Sequence, residues 1–308
     1  MSHKALLEIG TEEIPAKKVN NIHENIYSLS KELLSENRIS VKEIRVMGAP
    51  RRLTVIFENI SEYQDDLVEE IKGPPCNIAF DEEGNPTKAA TGFAQSQNLS
   101  VDDLEVRKTE KGEYLYAVIE RKNQPVLELL PDIFSELINS INFPVSMRWG
   151  DYDIEFIRPI HWTCALFDDK VVDFSLDNGI RSDKISYGHR FLSEEKIQLE
   201  SADEYIKELK NHYVIVDPEE RRNIIYKGIK DIEKETGGKV IKDKNLMDEV
   251  VHLVEYPTPF CGNFEKRFLN LPDPILVTPT KEHQRYFPIR DQENNLMAKF
   301  VGVRDGGE

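Results

Sequence analysis

From Pro15 to about Asn37 the apolar residues Val19, Ile22, Ile26, Leu29, Leu33 and Leu34 recur at helical spacing. Strand-like runs flank this stretch on both sides. Residues 4–9 precede it, and residues 43–47 and 52–58 follow, divided by Gly48-Ala49-Pro50. This alternation fits neither a helical bundle nor an all-β sandwich. It specifies a β-α-β-β opening of the α+β kind, with Pro15 near the first turn, where helix starts prefer proline.

The rest of the chain continues in that style. Lys72-Gly73-Pro74-Pro75 reads as a break and Asp81-Glu82-Glu83-Gly84-Asn85-Pro86 as an exposed turn. A helix is expected at 87–97. A hairpin follows, Leu104–Lys108 against Tyr114–Arg121, turning at Glu110-Lys111-Gly112-Glu113. An amphipathic helix spans 125–141, and strands alternate with tight turns through 146–191. From Leu192 the texture changes, with helices expected at 202–211, 217–236 and 244–254, and Ser201 and Asp217 as N-caps. A proline-rich return leads to a helix at 275–283 and strands at 285–290 and 297–303. The expected fold class is therefore α+β. Mixed, mainly antiparallel sheets pack with helices, and the C-terminal third is helix-rich. The expected regions are 1–191, itself open to division, and 192–308. Ending on a strand and turn at 302–308, the chain is expected to stop inside a longer protein.

With 39% hydrophobic and 31% charged residues, the composition is that of a soluble chain with a real core. No apolar run approaches the ~18 residues of a spanning helix, and no signal-peptide pattern opens the chain. The reading is therefore cytoplasmic. Cys76, Cys164 and Cys261 lie far apart without CxxC spacing, which suits buried thiols in a reducing cytosol better than a disulfide framework or a zinc site. A formal charge of −16 argues against nonspecific DNA binding. It leaves an RNA partner open, because exposed charges beyond a Debye length are screened and a locally basic groove still functions.

No phosphate loop, nucleophile elbow, HExxH or GxGxxG occurs. Four dense strings stand out instead: Phe143-Pro144-Val145-Ser146-Met147-Arg148-Trp149-Gly150, Arg158-Pro159-Ile160-His161-Trp162, Gly188-His189-Arg190-Phe191 and His283-Gln284-Arg285-Tyr286-Phe287-Pro288. Adjacent cations and rings suit phosphate contact and base stacking, although aromatics in core and arginines in ion pairs explain each string singly. Arg51-Arg52 open a strand, either to offer guanidinium groups to phosphate or to charge an edge strand against aggregation. Trp149 and Trp162 are stacking or core residues, with core preferred for Trp162. Glu219 and Glu220 complement a helix N-terminus, and Arg221-Arg222 are expected to pair within their helix.

These strings, in this order, resemble the β subunit of the bacterial tetrameric glycyl-tRNA synthetase. The resemblance rests on Leu6-Leu7-Glu8-Ile9-Gly10-Thr11-Glu12-Glu13-Ile14-Pro15-Ala16, Pro50-Arg51-Arg52-Leu53, Lys88-Ala89-Ala90-Thr91-Gly92-Phe93-Ala94, Ser146-Met147-Arg148-Trp149-Gly150, Arg158-Pro159-Ile160-His161-Trp162, His189-Arg190-Phe191 and the run from Glu255-Tyr256-Pro257 to Pro288. It covers essentially the whole chain. Ala49 stands where threonine is common, and Val145 where lysine is frequent, which removes one candidate phosphate contact. The resemblance implies a part of an α2β2 class II ligase that joins glycine to tRNA. Its partners would be the α subunit and glycine tRNA, with neither membrane nor DNA. ATP and Mg would be used by the α subunit, leaving no cofactor and no catalytic residue in this segment. The candidate tRNA contacts, chosen on chemistry, are Arg51, Arg52, Arg148, Trp149, Arg158, His161, Arg190, His283, Arg285 and Tyr286. Two rivals stand beside this. One is a scaffold for the α subunit without RNA contact. The other is an editing-like hydrolase with His161, His189 or His283 as base, which requires a carboxylate or hydroxyl beside a histidine.

Overall fold

The computed structural model describes every residue except Met1, Glu82, Lys111, Lys122, Glu194 and Glu308, and every side chain but theirs and those of Leu67, Glu120 and Arg121. The expected turn positions Glu82 and Lys111 thus lie outside the described residues. In chain order, β1 (His3–Thr11), α1 (Val19–Glu36), β2 (Glu43–Ala49) and β3 (Arg52–Ile60) form the opening expected from the sequence. Next come β4 (Leu67–Pro75), α2 (Cys76–Ala79), α3 (Lys88–Ser96), β5 (Leu104–Thr109) and β6 (Gly112–Arg121). Then follow α4 (Val126–Ser140), β7 (Met147–Arg148), β8 (Glu155–Phe156), β9 (Ile160–Phe167), β10 (Lys170–Val171), β11 (Ser182–Asp183), β12 (Ile185–Tyr187) and β13 (Lys196–Gln198). The last stretch holds α5 (Tyr205–Asn211), α6 (Pro218–Thr236), β14 (Lys239–Val240), α7 (Lys244–Val251), β15 (Pro257–Asn263), α8 (Asp273–Glu282), β16 (Phe287–Arg290) and β17 (Leu296–Asp305). The class is α+β with mostly antiparallel sheets. No helix among the described residues is long and apolar enough to cross a membrane.

The chain divides into two compact units, and not at residue 191. The first comprises Met1–Glu36, Val41–Ser61 and Leu127–Glu308; the second comprises Asn37–Ser40 and Glu62–Val126. In the first unit, the main sheet runs β10-β9-β1-β3-β2, with β11 parallel to β9. Strand β1 is central, with Glu8 opposite Thr54 on one side and Cys164 on the other, and Gly10 opposite Arg52 and Trp162. The two-residue period therefore sets Leu6, Glu8, Arg52, Thr54, Ile56, Trp162, Cys164 and Leu166 on one face. Ile197, Leu199, Tyr205, Leu209, Val214 and Val216 cover that face as a buried core. On the opposite face, Phe134 of α4 stacks on Phe57 at 6.0 Å, and α1 lies alongside with Ile22, Ile26, Leu33 and Leu34 buried.

A second sheet of the same unit runs β14-β16-β17-β15. Its core face carries Phe287, Ile289 and Val301 against Ile225, Ile229 and Ile232 of α6 and Leu246, Met247 and Val250 of α7. Asp217 caps α6 by accepting from Glu219 N at 2.8 Å, and Gly237 ends it in the left-handed conformation at φ 69°. Ser201 precedes a short 3-10 turn without a side-chain cap bond. The second unit has its own sheet, β4-β6-β5, and a small core of Ala79, Ala90 and Leu115 with Phe93 and Leu104.

Candidate functional site

The motif Gly10-Thr11-Glu12-Glu13-Ile14-Pro15 leaves β1 and is strapped between two of the other strings. Thr11 N donates to Arg51 O at 2.8 Å, Ile14 N to Pro50 O at 2.7 Å and Glu12 N to Pro159 O at 3.2 Å. Gly10 is required here: a Cβ on it would meet the Trp162 indole at 1.9 Å. The strap leaves the two carboxylates outside, where they gather Arg190 and His161. Arg190 NH2 donates to Glu12 Oε2 at 2.7 Å, and His161 Nε2 lies 3.2 Å from Glu12 Oε1. Arg158 Nε donates to Glu13 O at 2.9 Å. Arg190, with His161 adding to it, holds the Glu12 carboxyl below the usual carboxylate range. His189 Nδ1 accepts from Phe191 N and Leu192 N at 3.2 and 3.3 Å, a tight turn that leaves Phe191 81% exposed.

Beneath this surface lies a buried polar network. Glu8 and Arg52 are fully buried and Glu255 nearly so. Arg52 donates to Glu8, Ser186 and Glu255, each at 3.3 Å, with its guanidinium 5.6 Å from the Trp162 ring centre. Glu8 also accepts from Trp162 Nε1 at 2.5 Å, Tyr205 OH at 2.5 Å and Ser186 Oγ at 2.7 Å. Burial by itself would depress the Arg52 guanidinium, but Glu8 and Glu255 outweigh it and keep it charged. Burial, joined by the Glu8 charge, pushes the Tyr205 phenol up, so it donates as a neutral hydroxyl. Arg51, mostly buried, bridges Gly188 O at 2.8 Å and Glu255 Oε2 at 3.1 Å.

Several expectations change at this point. Arg52 is a central-strand core residue; its charge neither faces solvent nor guards an edge, because β3 lies between β1 and β2. Arg221 does not pair within its helix. It is fully buried and donates to four backbone carbonyls: Val251 at 2.9 Å, Ile215 at 2.5 Å, Val216 at 3.1 Å and Gly48 at 2.8 Å. Arg222 does pair along its helix, with Glu219 at 3.2 Å, and also with Asp248 at 2.7 Å.

The structure therefore brings Arg158, His161 and Arg190 together around Glu12-Glu13 and places Arg51 and Arg52 inward of them. Arg148 is 63% exposed and pairs with Glu155 at 3.4 Å, while the half-buried Trp149 donates from Nε1 to Phe156 O at 3.1 Å. The fourth string belongs to the other sheet. Tyr286 stacks on Phe300 at 4.5 Å, Arg285 donates to Glu249 at 2.8 Å, and His283 is exposed at the end of α8. Glu8, Ser186, Tyr205, Glu255 and Asp305 were not singled out from the sequence. The available signal was Glu8 within Leu6-Leu7-Glu8-Ile9, a charge on a buried strand that needs a partner. The histidine–carboxylate pairs demanded by a hydrolase do exist, His161–Glu12 and His189–Asp305 at 3.3 Å. Glu12 is shared with Arg190, and Asp305 accepts the Glu255 and Tyr256 amides, so each carboxylate also holds structure together.

A family model described as the glycyl-tRNA synthetase beta subunit matches residues 5–308. The chain belongs to that family. Within the glycyl-tRNA synthetase β-subunit family it is 43% identical over 308 residues to the glycine–tRNA ligase beta subunit of Halothermothrix orenii. It is 42% identical over 306 residues to that of Clostridioides difficile. These alignments cover 100% and 99% of the chain and 44% of each relative, so the chain spans less than half the length of the curated β subunits it matches.

Proposed function

We propose that this chain is a tRNA-binding and assembly portion of a cytoplasmic glycine–tRNA ligase β subunit. It would work with an α subunit that carries out ATP- and Mg-dependent adenylate formation in a class II active site. The observation that carries this is the family match across residues 5–308. The convergence of Arg158, His161 and Arg190 on one exposed hub, with Phe191 projecting beside it, supports an RNA-facing role. The ion pairs made by Arg190 and His161 are surface pairs worth about 0–1 kcal/mol, so phosphate can displace their carboxylates at small cost.

One observation favours the scaffold as a second reading. The hub cations already hold acceptors within the chain, and an 81% exposed phenylalanine beside them is equally suited to a protein partner. A glycine-charging assay with purified α subunit tests the proposal, comparing this chain, a full-length β chain and no β chain. Salt-dependent tRNA binding by this chain, with charging restored by full-length β, is expected. Capture of the α subunit without tRNA binding would make the segment a scaffold. Failure of any β chain to stimulate charging would reject the functional assignment.

A further inference from the structure

Beside the hub, the loop after β7 and the start of β9 enclose a pocket of about 260 Å3, lined among others by Trp149, Tyr152, Pro159, His161, Asn178 and Ile180. Its walls are three π systems with different anchors. Trp149 is fixed through its bond to Phe156 O. Gly150 turns in the left-handed region at φ 67°, and the Tyr152 ring folds back until it lies 3.5 Å from where a Gly150 Cβ would sit. His161 is held from Glu12. The hairpin tip opposite is pinned by Ile180 N donating to Asn178 Oδ1 at 3.1 Å, which leaves the Asn178 amide nitrogen as a donor. The volume falls below the roughly 300–1,000 Å3 of pockets that enclose drug-sized ligands, so the space suits a single planar ring system.

We propose that this pocket receives one unstacked nucleobase of a single-stranded RNA segment, sandwiched by Trp149 and Tyr152, with polar edges met by His161 and Asn178. The proposal rests on the RNA-binding reading above and names what that surface holds. The charge beside Trp149 and Tyr152 is mainly acidic and offers phosphate little. Arg148 pairs with Asp153 and Glu155, and Asp151 and Asp153 stand exposed beside it. Stacking, which every base can supply, must then provide most of the binding at this point, and the local contribution must depend only weakly on salt.

The chain contains two tryptophans, so stacking on Trp149 is visible in its emission. A five-nucleotide RNA and the same strand with an abasic central position are titrated against the parent, Tyr152→Ala and Trp149→Phe, reading tryptophan quenching and the anisotropy of labelled RNA. Glycine tRNA is titrated in parallel, and circular dichroism checks that each variant is folded. The intact strand should quench the parent. The abasic strand and Tyr152→Ala should each weaken binding on the order of tenfold at every salt concentration, and Trp149→Phe should abolish the quenching while retaining binding. Equal affinity for intact and abasic strands, with Tyr152→Ala unchanged, would overturn the pocket assignment while tRNA binding keeps the broader reading intact. Absence of binding by both pentamer and tRNA at low salt would overturn both. Loss of α-subunit capture in Tyr152→Ala without any change in RNA affinity would assign the pocket to a protein side chain and overturn the proposal.

Discussion

Replacing Arg52 with methionine removes the one cation, among the described residues, that touches both Glu8 and Glu255 through the core face of the main sheet. The guanidinium gives up contacts to Glu8, Ser186 and Glu255, all at 3.3 Å. Breaking a buried ion pair costs about 3–5 kcal/mol, because the abandoned charge remains out of water. Here the lower end applies. Glu8 keeps three neutral donors, Trp162, Ser186 and Tyr205, and Glu255 keeps Arg51 at 3.1 Å. A loss of about 3 kcal/mol corresponds to a folded-to-unfolded ratio lowered by more than roughly a hundredfold. Urea unfolding followed by tryptophan emission reads this cleanly, since Trp149 and Trp162 both belong to the larger unit. With slopes of a few kcal/mol per molar, the midpoint should fall by roughly 1 M. Glu8→Gln in the same background should recover about 1 kcal/mol or more relative to the sum of the single changes, because the two residues share one interaction. An Arg52→Met chain that unfolds at the parent's midpoint, yet loses tRNA affinity, would refute the assignment of Arg52 as a core lock.

Three further perturbations follow from the same core. His23 and His252 face each other at 5.9 Å; burial, with the Arg221 charge adding to it, pulls them down to about 4 and about 3 respectively. Both are therefore neutral when folded and take up protons on unfolding below about pH 6.5. Stability should be level above that pH and fall by a few kcal/mol between pH 6.5 and 4.5, and His252→Gln should flatten the fall in a pH series of unfolding midpoints. Gly10→Ala drives a methyl into the Trp162 ring and should cost about 1–3 kcal/mol in the same urea assay; a neutral result would place Trp162 elsewhere. Arg221→Met takes the guanidinium donors away from the carbonyls of Gly48, Ile215, Val216 and Val251, of which Val216 keeps the Gly48 amide, and should lower thermal stability by about 3 kcal/mol, although its side chain never reaches the surface.

The regular elements were legible where a single period ran long enough. The helical stripe Val19–Leu34, the hairpin of β5 and β6 and the capped start of α6 at Asp217 all match their sequence signals. Strands β4 and β15 were not, because Pro74-Pro75 and Pro257 with Pro259 read as breaks. Both strands lie at sheet edges, where a missing N–H faces no partner and proline is tolerated. The unit at 62–126 was invisible because the chain leaves and re-enters the larger unit without any shift in composition. At the candidate site, the strings pointed to the right neighbourhood but not to the orientation of each arginine. Arg51 and Arg52 are adjacent and chemically identical, yet only register decides that Arg52 meets Glu8 inside. Arg221 and Arg222 divide in the same way, one inward and one toward Asp248.

The central claim is that the hub around Glu12 and Glu13 faces RNA. Its most direct test is titration of glycine tRNA against the parent and against an Arg158→Ala/Arg190→Ala variant, at about 50 and about 200 mM salt. The parent should lose affinity steeply with salt. The variant should bind more weakly at low salt, with a log–log slope reduced by roughly one to two units, one for each phosphate contact removed. Identical affinity and slope in a folded variant would show that tRNA, if bound at all, is held elsewhere.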